Sequence, residues 1–202
     1  MRVGLTGGIG SGKSEVSRFL ESFGAYLIDT DILAREAVAR DSDGLRAIAR
    51  MWPQVVMAGV LDRAALAQIV FTDPSAREKL NGIVHPHVRR LAVEREQFAK
   101  PGQLVVHVVP LLFETNYLDR VEATIVVIAP DDQRMARVVQ RDRISEEQVR
   151  ARMAAQISPE EARERATYAI ENDGDLTHLR ASTRAVYDEL MRKRNNSNTS
   201  SF

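Results

Sequence analysis

Apolar residues fall into two rhythms along this chain: short unbroken runs, and stripes repeating at helical spacing. Runs rich in β-branched residues at 3–6, 25–28, 104–109, 123–128 and 167–170 predict five strands. Those at 104–109 and 123–128 are apolar almost throughout, as strands covered on both faces are. Between the runs the period changes. Val16, Phe19, Leu20 and Phe23 recur at i, i+3, i+4 and i+7 and predict a helix straight after the first strand. Leu66, Ile69 and Val70 mark a helix over 63–71. Leu80, Ile83, Val84, Val88 and Leu91 mark another over 75–98, which Pro86 is expected to kink or restart. Two capping boxes, Ser145 to Gln148 and Ser158 to Glu161, open further helices.

Strands separated by helices require crossover connections. The pattern therefore predicts a three-layer α/β fold, a parallel five-stranded sheet with helices on both faces. We expect one domain over 1–192, with a helical insertion at about 43–100 that forms the pocket for a second substrate. A helical hairpin at about 141–166 should act as a lid. The polar end, 193–202, has almost nothing to bury and is expected to be disordered.

Charge narrows the partners. Basic and acidic residues balance, 28 against 28, so no global field recruits nucleic acid or an acidic membrane. Local basic clusters then point to small anionic ligands. There is no cysteine, which removes disulfides, thiol nucleophiles and Cys-based metal sites together. No apolar run approaches the roughly 18 residues of a membrane span. A cytoplasmic protein, a monomer or weak homo-oligomer, is the expectation.

The chemistry is carried first by Gly7-Gly8-Ile9-Gly10-Ser11-Gly12-Lys13-Ser14, a complete G-x-x-x-x-G-K-S phosphate-binding loop set between predicted strand and helix. Gly8, Gly10 and Gly12 let successive backbone N–H groups converge on a phosphate, and the helix that follows adds its positive end. Lys13 supplies a mobile charge to the β- and γ-phosphates. Ser14 supplies a hydroxyl to Mg²⁺ carried on those phosphates. Ser11 and Glu15 complete the expected ATP-binding segment.

The second strand ends in Asp29-Thr30-Asp31, where ligands sit in doubly wound sheets. Either aspartate can cap the helix that follows. The functional reading makes Asp31 the base for an attacking hydroxyl, with Arg35 one turn on facing it, an anionic substrate or solvent. Further along, Met135, Val138 and Val139 define a buried side, and Arg134, Arg137 and Arg141 share the opposite one. Like charges stacked this way cost about 0.2–0.5 kcal/mol per pair unless an anion is shared among them. Arg143, Arg150 and Arg152 continue the cluster into the lid, where it would neutralise a transferring phosphoryl group. The third long run ends at Pro110 without an acidic residue. Leu111 and Leu112 wall a pocket or belong to the core. This favours a small-molecule kinase over a motor or switch NTPase.

Taken together, these residues resemble a known family. The segments 5–14 and 28–35, His85-Pro86 and Val109-Pro110-Leu111-Leu112-Phe113-Glu114 are similar to those of dephospho-CoA kinases. Gln133, Arg137, Arg141-Asp142, Gln156 and Asn172 follow in that family's order. The resemblance covers about 1–190. It implies a P-loop NTPase-type fold and ATP-dependent phosphorylation of the ribose 3′-hydroxyl of dephospho-CoA. It further implies Asp31 as base, Lys13 and Arg141 (with Arg137) on the phosphates, and Arg35, His85, Leu111 and Leu112 on the acceptor side. Another small-molecule kinase or a non-catalytic nucleotide-binding module are the competing readings. Glu15 replaces a usual Thr or Ser and is expected to repel phosphate mildly. Thr167 replaces a usual Asp and is expected to alter contacts near the adenine end.

Overall fold

A computed structural model describes residues 1–115 and 117–199. In chain order the elements are β1 (Arg2–Gly7), α1 (Lys13–Ser22), β2 (Tyr26–Asp29), α2 (Thr30–Ala37), α3 (Asp43–Met51), β3 (Val56–Met57), β4 (Val60–Leu61), α4 (Arg63–Thr72) and α5 (Pro74–Glu96). They continue as β5 (Val105–Val108), β6 (Ala123–Ile128), α6 (Asp131–Asp142), α7 (Glu146–Ala154), α8 (Pro159–Arg165), β7 (Tyr168–Glu171) and α9 (Leu176–Thr199). The chain divides into two compact units: Met1–Ile28 together with everything from Ala99 onward, and Asp29–Phe98.

The first unit holds the five-stranded sheet, in the order β2-β5-β1-β6-β7. The β1–β5, β1–β6 and β6–β7 pairs are parallel, so the strand made first is central. Alternation along β6 explains its apolar run. Ile125 and Val127 join Val3, Leu5, Val16, Leu20, Leu179 and Leu190 in the main core, where α1 and α9 cover the sheet. Val126 and Ile128 face the other way, onto Phe113 and Ala162 of α8. All five predicted strands are present, each within about a residue of its expected limits.

The threonine at 167 works at the far edge of this sheet. The Thr124 N–H donates to Thr167 Oγ1 (3.0 Å), and the Thr167 N–H donates to Thr124 Oγ1 (2.9 Å). Both residues lie at the starts of β6 and β7, whereas phosphate ligands sit beyond strand ends. The Thr167 hydroxyl thus stitches two strand starts together.

His107 on β5 is fully buried. Its Nδ1 lies 2.9 Å from the Tyr117 hydroxyl. Burial, with Arg120 and Arg2 adding to it, pushes its pKa down from 6.5 to about 4. The folded ring stays neutral at pH values where the unfolded chain takes up a proton. Stability should thus be unaffected above pH 6.5 and fall as pH drops from there toward about 4. The integrated loss is about 3 kcal/mol. Urea unfolding of wild type and His107→Gln at pH 7 and pH 4 checks this. Wild type should lose the larger amount, and equal losses would refute the assignment.

In the second unit, Asp29 is the N-cap of α2, Asp62 of α4 and Asp73 of α5. The short hairpin β3–β4 turns through Ala58 and Gly59, both at positive φ. α5 packs on α2, α3 and α4. It runs through Pro86 as one element, so of the kink or restart expected there, the restart does not occur. Neighbouring helices supply contacts that outweigh the one backbone hydrogen bond a proline removes.

The end of the chain also differs from expectation. Residues 193–199, expected to be disordered, continue α9 to Thr199; 200–202 lie outside the described residues. Adding a residue to an existing helix is far cheaper than nucleating one. Lys193 also lies over the Tyr168 ring, 4.9 Å from its centroid, and 3.4 Å from Glu189. Among the described residues, no helix is long and apolar enough to cross a membrane.

Candidate active site

The glycine-rich loop leaves the carboxyl end of β1, the central strand, and runs into α1. Gly12 is the N-cap of α1 in a left-handed conformation (φ 95°), and Gly10 also has positive φ (77°). Both turns favour glycine. Lys13 and Ser14 are then the first two residues of α1, at the positive end of the helix. Ser11 is buried, with its hydroxyl unpartnered among the described residues. Ser14 is exposed at the helix start.

Four side chains from the carboxyl half hold this loop by its backbone. Arg134 Nε donates to Ile9 O (3.0 Å), and Arg137 Nη1 to Gly10 O (3.3 Å). Asn172 Nδ2 donates to Ser11 O (2.7 Å). The Ile9 N–H donates to Gln156 Oε1 (2.9 Å), from the chain just beyond α7. α6 lies so close that a Cβ on Gly8 would stand 2.5 Å from Arg134 Nη2, and one on Gly10 2.6 Å from Arg134 O. A Cβ on Gly12 would collide with the Asn172 amide. The loop glycines thus serve packing behind the loop as well as a ligand in front of it.

The arginines predicted to share one face of α6 have three different fates. Arg134 is only 5% exposed, paired with Asp131 (2.9 Å) and packed on the loop. It is not a member of an open cationic face. The expected split of α6 is corrected as well: Arg134 and Val138 lie one turn apart on the same side, both buried and both close to Gly10, so that side meets the loop backbone rather than a shared anion. Arg137 is half-buried and also donates to Gln133 Oε1 (2.9 Å) and Asn172 O (3.4 Å). Arg141 is largely exposed and forms two hydrogen bonds to Asp142, at 2.7 and 3.1 Å. That pairing raises the pKa of Arg141 and lowers that of Asp142.

In the segment 141–166, where a helical hairpin is expected, two short helices occur, α7 packed on α6 and α8 on β6. Arg150 is paired with Glu146 (3.1 Å) and Arg152 with Asp142 (3.4 Å). Glu15, in the first turn of α1, pairs with Arg18 (2.7 Å), which draws its charge toward a cation. Leu111 is partly exposed, but Leu112 is 0% exposed. It packs beside Gly4 of β1, with Val109 and Tyr117. Leu112 therefore belongs to the core and is corrected from a pocket wall. A small cavity of about 30 Å³ beside the loop is lined by Thr6, Ser11, Glu114, Arg134 and Gln156 among others.

Asp31, Arg35 and His85 belong to the second unit. Asp29 Oδ1 accepts from the N–H groups of Asp31 (2.8 Å) and Ile32 (3.3 Å), which settles the capping question in favour of Asp29. Asp31 is exposed in the first turn of α2, and Arg35 is exposed one turn later. His85, on α5, is exposed on one side. Partial desolvation, with Arg89 adding to it, holds its pKa below the ordinary value.

Sequence reasoning missed Arg134 as a partner of the loop. Gln156 and Asn172 were noticed only for their order along the chain. The available signal was the glycines themselves, because Gly8 and Gly10 imply that something approaches closely.

Comparison with known proteins is unambiguous about family. The dephospho-CoA kinase family model matches residues 1–178. A dephospho-CoA kinase of Thermus thermophilus is 43% identical over 188 residues, 93% of this chain and 91% of the relative. The crystal structure of TT1252 from Thermus thermophilus superposes with a TM-score of 0.84 at 42% identity, covering 94% of this chain and 97% of that one. Dephospho-CoA kinase from Campylobacter jejuni gives 0.71 at 26% identity, covering 96% and 98%.

Proposed function

We propose a division of labour among these residues, since the chain belongs to the dephospho-CoA kinase family by its sequence match. The reaction is ATP-dependent phosphorylation of dephospho-CoA, the final step of coenzyme A biosynthesis. The acceptor oxygen is the ribose 3′-hydroxyl. It attacks the γ-phosphorus of ATP, the bond from that phosphorus to the β,γ-bridging oxygen breaks, and coenzyme A and ADP leave. The observation that carries the assignment of parts is the loop itself: a glycine turn fixed from behind, opening onto the start of α1.

The N–H groups of the loop and of the first turn of α1 hold the β- and γ-phosphates. Lys13 follows the charge that moves from the γ-phosphoryl group onto the bridging oxygen. Arg141 adds a second cation once it exchanges Asp142 for phosphate, and Arg137 steadies the loop and the nucleotide. Asp31 accepts the proton of the acceptor hydroxyl. Its neighbour Asp29 is occupied as a cap, which leaves Asp31 the carboxylate available for this work. Arg35, His85 and Leu111 bind the acceptor.

The loop also suits a magnesium ion arriving on the triphosphate. Ser14 offers a hard oxygen at the helix start, and no cluster of three or more His, Asp or Glu able to hold a metal occurs among the described residues. The ion would be held by phosphate oxygens with Ser14 and would neutralise charge on them. We place the enzyme in the cytoplasm as a monomer or weak homo-oligomer acting on small molecules.

Acceptor profiling with γ-labelled ATP tests the reaction. Label should reach the 3′ position of dephospho-CoA. Preferential labelling of nucleosides, shikimate or gluconate would overturn the assignment.

A further inference from the structure

Three successive peptides of the loop have their carbonyl oxygens gripped from behind: Ile9 by Arg134, Gly10 by Arg137 and Ser11 by Asn172. In a trans peptide the next N–H points opposite to the carbonyl. Fixing these oxygens therefore aims the N–H groups of Gly10, Ser11 and Gly12 to the opposite side. That of Ser11 closes back onto Gly8 O (3.0 Å). We infer that Arg134 is a positioning residue for the transfer: with Asn172 and Gln156 it presets the loop for the triphosphate, acting through the backbone without touching the nucleotide. The inference rests on reading this loop as the ATP site.

Two physical points support a role toward a ligand. Glycine peptides flip at little cost, and a flipped peptide would turn a carbonyl oxygen toward phosphate. A device that holds the oxygens back removes that alternative before ATP arrives, which lowers the cost of binding. Arg134 is also a poor choice for stability alone. Its guanidinium is nearly buried while its partner Asp131 is 69% exposed, so the pair gives up hydration on one side only. A positive charge kept behind the loop favours an anion in front of it.

Calorimetric titration of ATP into wild type and Arg134→Ala, with steady-state kinetics beside it, tests this. Arg134→Ala should bind ATP about tenfold to a hundredfold more weakly, the effect of losing charge-assisted hydrogen bonds. KM for ATP should rise in step, while kcat at saturating ATP changes by less than about threefold. Added guanidinium chloride, below denaturing concentration, should recover part of the lost affinity. A folded Arg134→Ala that binds ATP like wild type, or that loses kcat with ATP affinity intact, overturns the inference. If that variant does not fold, half-buried Gln156→Ala decides. Weakening of ATP binding by about threefold or more upholds the role, and unchanged binding refutes it. Wild type that binds ATP but never phosphorylates dephospho-CoA would sink the assigned reaction, while the same ATP titrations still decide the role of Arg134.

Discussion

Lys13→Ala is expected to lower kcat/KM for the transfer by about 10²–10³-fold, ~3–4 kcal/mol of transition-state stabilisation. The argument begins with the helix. Lys13 is the first residue of α1, at the positive end of the macrodipole, where a lysine is unfavourable unless an anion lies nearby. An arrangement that opposes the helix becomes useful when a triphosphate occupies the loop, and most useful as charge gathers on the β,γ-bridging oxygen. Two measurements separate this role from a structural one. The melting temperature of unliganded Lys13→Ala should not fall far below wild type, because alanine relieves an unfavourable charge at the helix start. The loss should fall on kcat as well as on KM. Wild-type kcat in the variant would exclude Lys13 from the transition state.

Asp31→Asn should cut kcat by about 10²–10⁴-fold, the range for a side chain that takes a proton in the transition state, with ATP affinity kept within about threefold. Asn has nearly the shape of Asp and cannot accept the hydroxyl proton. The contrast with Asp29 gives the experiment its control, because the two carboxylates stand two residues apart with different tasks. Asp29 accepts two backbone N–H groups at the start of α2. Asp29→Ala should therefore cost about 1 kcal/mol of stability, the usual worth of an N-cap. A stability loss for Asp31→Asn with kcat intact would reverse the two roles.

Much of this was legible because the signals were local. The loop glycines, Lys13 and Ser14 announce a phosphate-binding turn within eight residues, and β5 and β6 stand out as apolar runs since burial on both faces leaves little choice of residue. What was not legible depended on partners distant in sequence. The spacing of Arg134, Arg137 and Arg141 placed them on one face of α6, but their charge pointed that face at a shared anion. The Ile9 carbonyl that receives Arg134 lies 125 residues earlier. Leu112 reads equally as pocket wall or core until Gly4 is seen to leave room for it. The β3–β4 hairpin escaped because strands of two residues show no alternation. The final turns of α9 escaped because helix elongation needs no apolar stripe.

The grip on the loop has a consequence for how the enzyme is made. The first strand and its glycine turn leave the ribosome early, yet the groups that set the turn's shape come from residues 134 to 172. A nascent chain therefore carries the full consensus long before it carries a competent nucleotide cradle. Synthesis must pass Asn172 before this glycine turn acquires its working form.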